Sequence, residues 1–97
     1  MGSFDYEVAH ANGETTLDIT TATVIKAAQG TLVSIEVIVA GSAAGAAYDH
    51  DQTSGVSATN QIAAIPTTIG LIPLAWTCSV GIVVVPGTGQ TLAVKWA

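Results

Sequence analysis

Residues 31–40 read TLVSIEVIVA. Ten residues rich in Val, Ile and Leu, with neither Gly nor Pro, are strand chemistry, because β-branched side chains fit a pleated surface better than a helical turn. Strict alternation puts Val33, Ile35, Val37 and Val39 on one face, with Ser34 and Glu36 on the other beside Leu32 and Ile38. One face is then core and the other half polar, the pattern of an antiparallel sheet buried on one side.

The same vocabulary continues outward in short runs punctuated by Gly and Pro. TATVIKA (21–27) is a strand ended by Gln29 and Gly30. GSAAGAAYD (41–49) turns and then enters a strand near Ala46 to Tyr48; two glycines in so short a stretch argue against a helix. NQIAAIP (60–66) is a short strand closed by Pro66. Ile69 to Thr77 is another, and Pro73 inside it has no N–H for a ladder, which predicts an edge or a bulge. GIVVVPGTGQTLAVKWA (81–97) reads as a final hairpin: Ile82 to Val85, a Pro-Gly-Thr-Gly turn at 86–89, then Thr91 to Trp96. About seven strands, turn signals at intervals of roughly 8–12 residues and no helix predict an all-β, antiparallel β-sandwich, jelly-roll-like.

Residues 1–19 hold four of the seven acids (Asp5, Glu7, Glu14, Asp18) and an Ala-Asn-Gly-Glu turn signal at 11–14. They read as an acidic N-terminal arm or short edge strand outside the core, with residues 20–97 as the sandwich domain. A chain of 97 residues buries roughly two-thirds of its unfolded surface, enough for one two-layer core and too little for a deep catalytic pocket as well.

Charge excludes several partner classes. The chain has two Lys (Lys26, Lys95), no Arg and a net charge of −5. Neutralising phosphates takes several cations on one face, so nucleic acid is not the partner, and an anionic membrane surface repels the chain. No charged residue occurs between Asp51 and Lys95. Pro66, Gly70, Pro73, Gly81, Pro86, Gly87 and Gly89 interrupt that neutral stretch too often for a membrane-spanning helix. A β-rich subunit partly covered by other subunits explains it, since the cores of interfaces are depleted in charge. Cys78 is the only cysteine, which rules out an intrachain disulfide and reads as a buried, inert thiol. MGSFDYEVAH carries acids where a signal peptide has basic residues and an apolar run. Tyr6 stands where a myristoylated terminus has Ser or Thr.

Chemistry-bearing residues gather in one place, YDHDQTSG (48–55). Asp49, His50 and Asp51 are the candidate metal ligands, with Asn60 near in sequence and calcium the best fit to hard oxygens. A second His or Cys at a ligand interval and the acidic spacing of an EF-hand are both missing, so the expectation is a solvated loop tip and no metal. PGTGQT (86–91) lacks the Gly-Lys-Ser/Thr ending of a phosphate loop and sits in a turn. His10 and His50 are the available bases, and neither accompanies a nucleophile in a recognisable pattern; no enzyme, no catalytic residue and no cofactor are expected. Trp76, Trp96 and Tyr48 are the candidates for subunit or partner contact, because large aromatics anchor interfaces.

The order of these pieces resembles small structural proteins of tailed-bacteriophage virions. The matching residues are Val24, Ile25, Gly30, Leu32, Gly41, Tyr48 and Asp49 in the first half, then Gly81, Val84, Gly87 and Val94 in the closing segment. The resemblance covers residues 20–97 and implies a β-sandwich subunit that coats or cements a phage head, commonly as a symmetric oligomer, with no catalytic residues. The expected role is therefore a capsid decoration protein in the virion. It would be a homo-oligomer, a trimer matching the three-fold positions of a shell, bound to the major capsid protein. The alternatives are a carbohydrate- or receptor-binding sandwich on a fibre, with Trp76 or Tyr48 stacking on sugar, and a neck or tail connector subunit.

Overall fold

The computed structural model describes residues 13–97. They form eight strands: β1 (Glu14–Ile19), β2 (Thr23–Lys26), β3 (Gly30–Val39), β4 (Gly45–Tyr48), β5 (Gln61–Ile65), β6 (Gly70–Cys78), β7 (Ile82–Val85) and β8 (Thr91–Trp96). Two four-stranded antiparallel sheets result, sheet A in the order β1-β8-β3-β6 and sheet B in the order β2-β7-β4-β5.

That order has a simple origin. The pairs β1 with β8, β2 with β7, β3 with β6 and β4 with β5 are those of one long hairpin, with β1 to β4 as one arm and β5 to β8 as the other. Successive pairs fall alternately in sheets A and B, so the hairpin is rolled up, which is the jelly-roll arrangement of a β-sandwich. The turn of the long hairpin is the polar segment after Tyr48, because β4 to β5 is the one connection between described strands that stays within a sheet.

The rolled topology corrects the expected final hairpin. β7 and β8 have the predicted bounds but belong to opposite sheets. Residues 86–90 cross between them, held by Gln90, the sole buried polar side chain among the described residues. Gln90 Nε2 donates to the Pro66 carbonyl at 2.7 Å, and its Oε1 accepts from the Gly87 N–H at 2.9 Å. The Gln90 N–H closes the turn on the Gly87 carbonyl at 3.0 Å. Gly87 is needed there because a Cβ would overlap the Ala43 carbonyl.

The expected boundary after residue 19 also moves. Residues 14–19 form β1 at the edge of sheet A, the edge strand that the reading of 1–19 allowed, but Ile19 joins the core at 3% exposure, so the sandwich begins before residue 20. Residues 1–12, which carry Asp5, Glu7 and His10, lie outside the described residues.

Strand β3 departs from strict alternation. Leu32, Ile35 and Val37 are buried, whereas Val39 is 48% exposed. Between Leu32 and Ser34 the register to both neighbours shifts, and a second shift toward β8 falls between Val37 and Val39. Each bulge adds a residue on one strand and resets which side chains point inward. Leu32 thereby enters the core with Ile35, and Val33 does not share their full burial. The reading of Pro73 holds: β6 is an edge strand, and it bulges against β3, with Ala75 in the left-handed region (φ 52°).

Between the sheets lies one apolar core. Leu32, Ile35, Val37, Leu92 and Val94 of sheet A meet Ile25, Ala47, Ile65, Ile82 and Val84 of sheet B, with Ile19 and Cys78 in the same cluster. Trp96 packs on this core and is further tied by a 2.9 Å hydrogen bond from its Nε1–H to Thr16 Oγ1. Lys26 Nζ stands 5.8 Å from the Trp96 ring centroid, within reach of a cation–π contact.

Candidate docking face

Asp49 directly follows β4 and is not a solvated tip. Its Oδ1 accepts from the Val80 N–H at 2.8 Å and the Gly81 N–H at 3.2 Å, and its Oδ2 accepts from the Ser79 N–H at 3.0 Å. The Asp49 N–H itself donates to the Asn60 carbonyl at 2.8 Å. The turn of the long hairpin is thus fastened to the β6–β7 connection. Burial raises the Asp49 pKa, but the N–H donors of Val80, Ser79 and Gly81, with His50 nearby, outweigh it and hold the carboxyl below its ordinary value.

The rest of the loop is closed on itself. His50 Nε2 lies 3.0 Å from the Ser54 carbonyl, and Asn60 Oδ1 accepts from the Ser57 N–H at 2.9 Å. The exposed tip is residues 52–55, one step beyond the acids. Among the described residues no three His, Cys, Asp or Glu side chains are placed to share a metal ion. Both carboxylate oxygens of Asp49 already serve the backbone of residues 79–81.

Gly81 completes this junction, since a Cβ there would lie 2.5 Å from the His50 carbonyl and 2.7 Å from the Lys26 carbonyl. Cys78, beside it, is fully buried, and burial together with the Asp49 charge pushes its thiol up to about 11. A thiol so held is not a nucleophile at neutral pH.

The three aromatic candidates are placed apart. Tyr48 is half-buried on β4 in sheet B, in register with Val83. Trp76 and Trp96 share a cross-strand row through Leu32 in sheet A, Trp96 packed on the core and Trp76 half-exposed on edge strand β6. Tyr48 and Trp76 thus stand in different sheets.

What sequence reading missed is an asymmetry between the sheets. Every exposed large apolar side chain among the described residues lies on a sheet A strand (Leu17, Ile38, Val39, Leu71, Trp76) or beside β6 (Ile69, Val80). Sheet B strands carry none. Even Val83, between the buried Ile82 and Val84, is fully covered.

On the outward face of sheet A the register lines up Thr15, Lys95, Ser34 and Pro73 across all four strands. The next outward row runs Ala93, Glu36, Leu71. A shallow groove of about 210 Å³ lies over these rows, with Glu36 and Lys95 as its two charged lining residues. Leu71, 63% exposed, forms one wall. The face is open and mostly uncharged. No protein-family model matches the chain, and no characterised protein or solved structure matches it either.

Proposed function

We propose that this chain is a non-enzymatic structural subunit that works by laying the outward face of sheet A against protein in a larger assembly. One observation carries the reading: among the described strands, the exposed large apolar side chains (Leu17, Ile38, Val39, Leu71, Trp76) all lie on sheet A and none on sheet B. Apolar surface gathered on one sheet of a small sandwich marks a contact region, and Leu71 places part of it on the outward face. The jelly roll serves viral capsid subunits and lectins alike, so the fold alone does not select between assembly and sugar binding. Tyr48 and Trp76 stand in different sheets, so a sugar platform would use one of them alone, whereas the exposed apolar side chains of sheet A spread over several strands.

In its specific form the proposal is a capsid decoration protein of a tailed phage, located in the virion and bound to the major capsid protein. This form rests on the strand-and-turn resemblance of residues 20–97. A subunit that binds the assembled shell and not its free parts stabilises the shell by mass action.

The test is recovery in particles. Virions purified by density gradient from producing cells are analysed by quantitative mass spectrometry, with wild-type chain and with Leu71→Glu. The wild type is expected in the head fraction at a fixed ratio to the major capsid protein, with Leu71→Glu left in the soluble fraction. Wild-type chain found only in the soluble fraction overturns the virion form. Leu71→Glu retained on particles overturns the assignment of the face.

A further inference from the structure

We infer that the outward face of sheet A pairs with the same face of a second copy of this chain, across a two-fold axis between β8 and β3. The inference rests on the reading of that face as a docking surface and names its occupant as a second copy, so that the pair of chains is the unit recovered on particles.

The argument is charge complementarity within one face. Lys95 on β8 is in register with Ser34, and Glu36, two residues along β3, is in register with Ala93, so the two charges are diagonal neighbours on adjacent strands. No other charged residue lines the groove. Lys95 is one of only two lysines in the chain, and Glu36 is its one acid between Asp18 and Asp49. A face with one cation and one anion among uncharged Thr15, Ser34, Leu71 and Ala93 complements itself. A two-fold axis lying in the interface between the two strands sets Glu36 of each copy against Lys95 of the other, as an isologous contact requires. Leu71 is then covered by the other copy instead of water, while like-charge contacts, which a random pairing of two chains of net charge −5 invites, are avoided at the centre.

Size sets the strength. Four strands at ~4.8 Å spacing and about six residues at ~3.4 Å make a face on the order of 400 Å². Two such faces bury less than the ~1,600 Å² of a standard interface. The dimer is therefore concentration-dependent. Its two-fold symmetry replaces the three-fold expected from shell geometry, and the pair suits two-fold or local two-fold positions of an assembly.

Charge reversal tests this. Sedimentation equilibrium from micromolar to millimolar concentration is run on wild type, E36K, K95E, the double variant E36K/K95E and an equimolar mixture of the two single variants. Circular dichroism melts verify that each chain is folded. Wild type should approach twice the chain mass, and each single reversal should weaken pairing at least tenfold. The double variant should regain it. The mixture should pair more tightly than either variant alone, because the two reversals complement each other across the axis and nowhere else. Wild type that remains monomeric throughout, or a double variant as weak as the singles, overturns the second copy as occupant. Particle recovery of wild type and Leu71→Glu still decides the docking face in that case, so the two failures are distinguishable.

Discussion

Asp49 and Val80, 31 residues apart in sequence, are joined by a 2.8 Å hydrogen bond from the Val80 N–H to Asp49 Oδ1. With the neighbouring bonds from Ser79 and Gly81, it locks the turn of the long hairpin onto the connection between β6 and β7. Asp49, expected at a solvated loop tip, is in fact a fastening of the roll.

Asp49→Ala removes a charged acceptor from three backbone donors, two of which water can reach. The loss is about 1–2 kcal/mol, somewhat under the full value of charged hydrogen bonds because of that access. In a domain of this size it lowers the Tm by roughly 5–15 °C, read by thermal melting at pH 7.

The same carboxyl makes stability pH-dependent with a defined sign. Its folded pKa is below its unfolded value, so its contribution is complete above the unfolded value of about 3.9 and is lost as pH falls through the folded value. The Tm difference between wild type and Asp49→Asn should therefore be constant from pH 7 to about 5 and shrink below about 4. Paired melts across that range check it, and a difference that grows on acidification contradicts the account.

Gln90→Leu keeps the volume of a buried side chain but strands the Gly87 N–H and the Pro66 carbonyl. A cost of about 2–4 kcal/mol is expected from two unsatisfied, part-buried groups. It should appear as a lowered urea midpoint with an unchanged slope.

Trp96→Phe and Thr16→Val each remove the side-chain bond between β8 and β1 while leaving their backbone ladder and most of the packing. Each should cost about 1 kcal/mol, and the double variant little more than either single one. Full additivity in a double-mutant cycle would show that the bond contributes nothing.

Leu32 and Leu71 give the sharpest contrast, as both are leucines on paired strands of sheet A with opposite environments. Leu32→Ala empties core volume and should cost about 2–5 kcal/mol. Leu71→Ala should shift the monomer's urea midpoint by less than about 0.5 kcal/mol equivalent, because its side chain faces outward.

By itself the sequence determined the class of fold, since runs such as TLVSIEVIVA and IVVV between Gly and Pro have no competing helical reading. It also located seven of the eight strands nearly to the residue and placed Pro73 at an edge or bulge, because those are local properties of each segment. Only the tertiary structure decided which sheet each strand joins, and so turned the expected β7–β8 hairpin into a crossing between sheets. Pairing partners are set by long-range burial, on which a turn motif bears weakly. The bulges in β3 were illegible for the same reason: strict alternation is the default, and a reset of phase shows only when both neighbours are present. The roles of Asp49 and Gln90 lie in contacts with residues 79–81 and Pro66, far away in the chain. The bare face of sheet A is likewise visible only once eight strands have chosen their sides, for exposure belongs to the folded surface and not to any residue alone.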